Sequence, residues 1–107
     1  MWAKPSKKQL NDTPRLYETE NVPLADKKVT MHFFVGGCDW YIVEFDGEDI
    51  MFGFAILNAD YQNAEWGYIS LAELRGLQVG PFEVDCDKHW EIRPVNRVDK
   101  IMEAMAA

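Results

Sequence analysis

From Val29 to Val35 the chain runs Val-Thr-Met-His-Phe-Phe-Val, glycines follow at Gly36 and Gly37, and Trp40 to Phe45 runs Trp-Tyr-Ile-Val-Glu-Phe. β-Branched and aromatic residues dominate both runs, and such side chains suit a pleated, half-buried surface. The glycine pair between them signals a turn. Asp46-Gly47-Glu48-Asp49 is the next break, and its Asp-Gly pair suits a tight hairpin. Ile50 to Leu57 then forms a third strand, in which Ile50, Phe52, Phe54 and Ile56 alternate with the smaller Gly53 and Ala55. Small residues on one side predict that another element packs closely there. After a loop from Asn58 to Ala64, Glu65 to Ile69 is the fourth strand. Three hairpin connections in a row give an antiparallel sheet whose neighbours follow chain order.

Outward from this meander, Ser70-Leu71-Ala72-Glu73 fits a capping box, with Ser70 as N-cap and Glu73 reaching back. Leu71, Leu74 and Leu77 would line one side of that short helix, and Gly76 or Gly80-Pro81 would end it. A second helix is expected from Pro94, with Val95, Val98, Ile101, Met102 and Met105 on one stripe that covers a sheet face. Phe82 to Asp87 and His89 to Ile92 are expected to be extended. Met1 to Thr13 is Lys-rich and broken by Asn11-Asp12-Thr13-Pro14, so residues 1–13 are expected to be a flexible tail. A helical turn is expected within Asn21 to Lys27, with Pro23 at its first position. The expected fold class is therefore α+β: one domain over residues 14–107, an antiparallel β-meander of about four to six strands with a short capped helix after the fourth strand and a C-terminal amphipathic helix packed on the sheet.

The chain has 107 residues, 48% of them hydrophobic and 27% charged, which fits one domain with a buried core. Its longest strongly apolar run, Ile50 to Leu57, is far short of the roughly 18–20 residues of a membrane helix. Residues 1–13 lack the apolar stretch of a signal peptide, so a cytoplasmic location and no membrane partner are expected. The net charge is −7, and it is unevenly spread. Residues 1–28 carry a net +2, residues 29–92 a net −10, and residues 93–107 a net +1. An acidic body repels nucleic acid, whose binding relies on Lys and Arg. Direct nucleic-acid binding is not expected. A partner with a basic surface would instead be attracted.

Catalytic candidates are few. Cys38, Cys86, His32 and His89 are the conceivable metal set, and Cys86-Asp87-Lys88-His89 has one Cys-x-x-His spacing. Zinc sites carry paired motifs, so neither a metal nor another cofactor is expected here. A Cys38–His89 nucleophilic pair is the catalytic version of the same residues, but nothing in the spacing requires the two to meet. A disulfide between Cys38 and Cys86 is disfavoured in a reducing compartment. No nucleophile elbow, phosphate-binding glycine loop or zinc-protease motif is present. The expectation is a protein without catalytic residues.

The acids form two groups. Glu44, Asp46, Glu48 and Asp49 crowd one hairpin, and Glu83, Asp85 and Asp87 alternate. In an extended segment the second group shares one face, with neighbours about 7 Å apart, close to the spacing of phosphates along a DNA strand. These seven carboxylates are the candidate partner-binding residues. They suit either a solvated polar face, an acidic stripe that imitates nucleic acid, or a carboxylate metal site. Trp40, Tyr41, Trp66, Tyr68 and Trp90 lie on or beside strands, with Trp40 and Ile42 expected opposite Tyr41, Val43 and Phe45. Such aromatics fill a core, or form a binding patch if one sheet face lacks a helix.

Leu16-Tyr17-Glu18-Thr19-Glu20, His32-Phe33-Phe34, Trp40 to Asp46, Phe52-Gly53 and Glu65 to Leu74 stand together in an order that resembles the bacterial proteins grouped as domain of unknown function 2958. The resemblance covers roughly 14–94 and is most specific over Gly67 to Leu74 and Glu44-Phe45-Asp46. Gly47 stands where that family often has proline. The resemblance implies an accessory protein of mobile genetic elements (plasmids, integrating elements and phages), with no catalytic residues to carry over. Composition and resemblance together lead to the expectation of a non-enzymatic protein-binding module, an inhibitor or DNA mimic acting on a host defence or DNA-processing protein. The alternatives are a small metal- or Cys-dependent enzyme built on Cys38, Cys86 and His89, and a structural domain that dimerises; the chain would be a monomer or a homodimer.

Overall fold

A computed structural model of the chain describes residues 4–107. In chain order its elements are α1 (Lys7–Asp12), β1 (Lys28–Val29), β2 (Met31–Val35), β3 (Cys38–Phe45), β4 (Ile50–Ile56), β5 (Glu65–Ser70), α2 (Leu71–Gly76), β6 (Gln78–Val79), β7 (Phe82–Glu83), β8 (Asp85–Cys86), β9 (Arg93–Pro94) and α3 (Asp99–Ala106). The main sheet is antiparallel, in the order β5-β4-β3-β2-β8. β1 pairs with β9, and β6 pairs with β7. The fold is thus the expected α+β meander, with β8 added at the far edge. Among the described residues no helix is long and apolar enough to cross a membrane.

Period-two alternation sorts the core into two layers. Met31, Phe33, Val35, Cys38, Trp40, Ile42 and Met51 point to one side, where Leu10 of α1 and Leu71 and Leu74 of α2 cover them. Tyr41, Val43, Phe54 and Ile56 point to the other, beneath Val95, Val98, Ile101 and Ala104. Burying such aliphatic and aromatic side chains stabilises the fold by about 1.5–3 kcal/mol each.

One irregularity changes the pattern. Ile42 pairs with Gly53, but the next pair is Glu44 with Phe52, so Val43 is an extra residue in β3. A β-bulge of this kind reverses which side the following residues face. Phe45 therefore joins the layer of Trp40 and Ile42, not that of Tyr41 and Val43 as simple alternation predicts. Gly53 is the reason the strands can close up here: a Cβ on it would stand 2.2 Å from the Tyr41 carbonyl oxygen.

Three further expectations are corrected. The N-terminal segment is not a tail over its described length. Ser6 and Gln9 close a reciprocal capping box on α1, at 3.1 and 2.9 Å, and Leu10 packs on the core. Buried Thr13 then shares a 2.6 Å hydroxyl hydrogen bond with Thr30. Residues 1–3 lie outside the described part. At the C-terminus, Val98 is extended between a 3-10 turn (Val95–Arg97) and α3, which resets the helical phase. Val95, Val98 and Ile101 of the expected stripe face the core and Ala104 joins them, while Met102 and Met105 are exposed. Pro23 precedes its 3-10 turn (Leu24–Asp26) as the N-cap instead of occupying the first position.

Candidate functional site

Three of the four hairpin acids turn inward. Glu44 follows the bulge and is 5% exposed, so it does not reach a partner as the sequence suggested. Its carboxylate accepts hydrogen bonds from Tyr17 N (3.0 Å), Thr19 N (3.3 Å) and the Thr19 hydroxyl, with Lys27 Nζ at 3.9 Å. Burial alone would raise its pKa, but the Thr19 hydroxyl, the two N–H groups and Lys27 outweigh it and hold the carboxyl below its usual range. These bonds pin the loop that carries Tyr17, whose φ of +68° is otherwise unfavourable for a side-chain-bearing residue.

Asp46 and Asp49 organise the turn. Asp46 Oδ1 accepts from Glu48 N and Asp49 N, each at 2.7 Å, and these bonds lower its pKa. Gly47 between them has φ +91°. Asp49 reaches onward to α2: its Oδ1 accepts from Ala72 N (2.8 Å), and its Oδ2 from the Ser70 hydroxyl (2.7 Å). Ser70 Oγ in turn accepts from Glu73 N at 3.2 Å. Ser70 is the expected N-cap, but Asp49 rather than Glu73 completes the cap. Glu48 stays exposed.

The other acidic group is unevenly placed, with one carboxylate oxygen of Glu83, Oε2, buried. Val84 and Cys86 are buried, and Glu83, Asp85 and Asp87 between and beyond them are half-exposed. The segment is not one strand, however. Glu83 belongs to the β6–β7 hairpin, and Asp85 lies opposite Phe34 at the edge of the main sheet. Asp87 Oδ1 accepts from His89 N at 3.0 Å, and its Oδ2 lies 3.9 Å from His32 Nδ1. The hairpin acids and this row stand on different strands, with β2 between β3 and β8.

That histidine belongs to a charge network that sequence reasoning missed. His32 Nε2 lies 2.7 Å from Asp39 Oδ1, and Lys100 of α3 donates to Asp39 Oδ2 at 3.0 Å. Tyr41 stacks on the His32 ring at 4.6 Å, Trp90 leans against both, and the Arg93 guanidinium sits 4.0 Å over Trp90. Burial pushes the Asp39 carboxyl up, but hydrogen bonds from His32 and Lys100 outweigh it and hold the pKa low. The same burial, with Asp39 nearby, raises the Tyr41 hydroxyl. The signal was present in the register: a turn at Gly36-Gly37 places His32 opposite Tyr41 and Phe34 opposite Asp39, so His32 and Asp39 are diagonal neighbours on one face. The network ties α3 to the sheet.

The cysteines are free and buried, and both point to the α1/α2 side, opposite His32. Burial pushes the Cys86 thiol up to about 12, with Asp87 adding to the effect, so the thiolate a nucleophile requires is suppressed. His89 is exposed at the turn after β8. Among the described residues no group of three or more His, Cys, Asp or Glu side chains is placed to hold a metal ion. No family model, curated protein or solved structure matches the chain.

Proposed function

We propose that this chain acts by binding a protein with a basic surface, as an inhibitor that occupies a groove otherwise filled by nucleic acid. The observation that carries the reading is that Glu83, Asp85 and Asp87 are half-exposed in a segment whose alternate residues, Val84 and Cys86, are buried. The buried Val84 and Cys86 anchor the backbone that carries these carboxylates, and a positioned charge confers specificity as well as attraction. The net charge of −7 supports the same reading, because it speeds encounter with a cationic partner over long range. Glu48 adds an exposed carboxylate from the hairpin, whereas Glu44, Asp46 and Asp49 serve the fold. An accessory role in mobile genetic elements, which the resemblance implies, fits an inhibitor of a bacterial DNA-processing or defence protein.

The test is capture from bacterial lysate by the tagged chain and by a Glu83→Lys, Asp85→Lys, Asp87→Lys variant, with folding of each checked by circular dichroism. The reading predicts one nucleic-acid-binding protein held at low salt by the wild type, released at high salt and lost by the variant. Equal retention by a folded variant rejects the row as the site. Should the triple variant unfold, Asp85→Lys alone gives the same comparison, since Asp85 takes part in none of the internal hydrogen bonds described above.

A further inference from the structure

The two edges of the main sheet are unequal. At one, β8 is two residues long, begins with Asp85 and is followed by Asp87. Short strands and charges are how proteins prevent an open edge from pairing with another chain. At the other, β5 runs for six residues, Glu-Trp-Gly-Tyr-Ile-Ser, with one charge, no proline and an unbroken register from Ile50↔Ser70 to Ala55↔Glu65. None of its residues is buried, and among the described residues its only strand partner is β4. The outward N–H and C=O groups of β5 thus form a regular, unguarded edge.

Gly67, at the middle of β5, lies opposite Gly53 and is uncrowded among the described residues. A Cβ added there would meet nothing within 4 Å, and its φ is not in the left-handed region. Glycine weakens a strand, so the strand itself does not require it, and a side chain placed there has room on the sheet face. On the α3 side, Trp66 and Tyr68 flank it, each in ring contact with Phe52. Tyr68 is 59% exposed, and its hydroxyl is 3.0 Å from that of the equally exposed Tyr17.

We infer that β5 pairs with β5 of a second copy, antiparallel about a two-fold axis through Gly67, to continue the sheet across a homodimer. A two-fold edge contact requires only that the strand be complementary to itself. In this register Gly67 faces Gly67 of the second copy, and Trp66 faces Tyr68, so the aromatic row of one copy runs into that of the other. Glu65 faces Ile69, which keeps the one carboxylate of each strand away from its counterpart. Because both copies are acidic, salt screens their repulsion and tightens the dimer. The proposed basic partner responds in the opposite sense, so the two associations are separable.

Sedimentation equilibrium of the full chain tests this. The wild type is expected at twice its 12.4 kDa, and more completely so at high salt. Gly67→Lys has room for its side chain in the single copy but sets two ammonium groups face to face in the dimer, so it is expected to run at 12.4 kDa with an unchanged circular dichroism spectrum. Facing strand residues have Cα atoms about 4.5–5.5 Å apart, within disulfide reach. Gly67→Cys is therefore expected to cross-link between copies on oxidation, which also decides the matter if Gly67→Lys fails to fold. A wild type that stays monomeric at high salt, as it would if β5 instead awaited a strand from another protein, overturns the inference. So does a folded Gly67→Lys variant that remains dimeric, or a Gly67→Cys variant that does not cross-link.

Discussion

The Asp49 carboxylate stands 2.8 Å from the backbone N–H of Ala72, 23 residues further along the chain, and caps α2 from the β3–β4 turn. The first turn of a helix has N–H groups with no partner inside the helix, and a side-chain oxygen that accepts from one is worth about 1 kcal/mol. Asp49 also takes the Ser70 hydroxyl, so its loss disturbs the primary cap as well. Asp49→Ala is expected to lower stability by about 1–2 kcal/mol in urea unfolding, with partner capture unaffected in the protein that remains folded. Lost capture with unchanged stability would place Asp49 on the binding surface instead.

Gly53 and Tyr41 set the limit on how closely β3 and β4 approach. Gly53→Ala forces a Cβ to within 2.2 Å of the Tyr41 carbonyl oxygen, which is backbone and cannot turn aside. The bulge must open, and a loss of about 3 kcal/mol is expected, the upper end for overpacking a core. Gly67→Ala, in open space, is the control and should melt close to the wild type.

Acid should unfold the protein earlier than its charge alone requires. Asp39 and Glu44 are held below their ordinary pKa values in the folded chain. Their contribution is fully present above the unfolded values, about 3.9 for Asp and 4.3 for Glu, and is lost as pH falls through the lower folded values. The melting temperature is expected to drop steeply below about pH 4. Asp39→Asn should be less stable at pH 7 by about 2 kcal/mol, the scale of a charge-assisted hydrogen bond, and should lose less on acidification. A variant with the wild-type acid profile would show that Asp39 does not supply this linkage.

How much of this was legible in the sequence depends on whether a feature is local. The meander, its order and the Ser70 cap follow from alternation, turns and short spacings, and they stand. The Val43 bulge is not local: Phe45 changes side because of what Gly53 permits on the neighbouring strand. The Ser6–Gln9 capping box was readable, but a Lys-rich composition obscured it. The stripe over Val95 to Met105 holds at Val95, Val98 and Ile101 and fails at Met102 and Met105, where Ala104 faces the core instead. Of the candidate acids, Glu83, Asp85 and Asp87 alternate with the buried Val84 and Cys86, as period two predicts. Glu44 does not remain at the surface, since burial of a carboxylate is decided by a loop 25 residues earlier, where Thr19 supplies the partners.

The central claim is that the acidic row occupies a nucleic-acid groove on a basic protein. The most direct measurement is competition: the protein captured from lysate is equilibrated with fluorescent duplex DNA, and this chain is titrated in. The account predicts that the chain displaces the DNA competitively, that the apparent affinity falls as salt rises, and that the folded Asp85→Lys variant competes at least tenfold less well, about 1.4 kcal/mol. DNA that stays bound while the chain binds alongside it, or equal displacement by the variant, would contradict it.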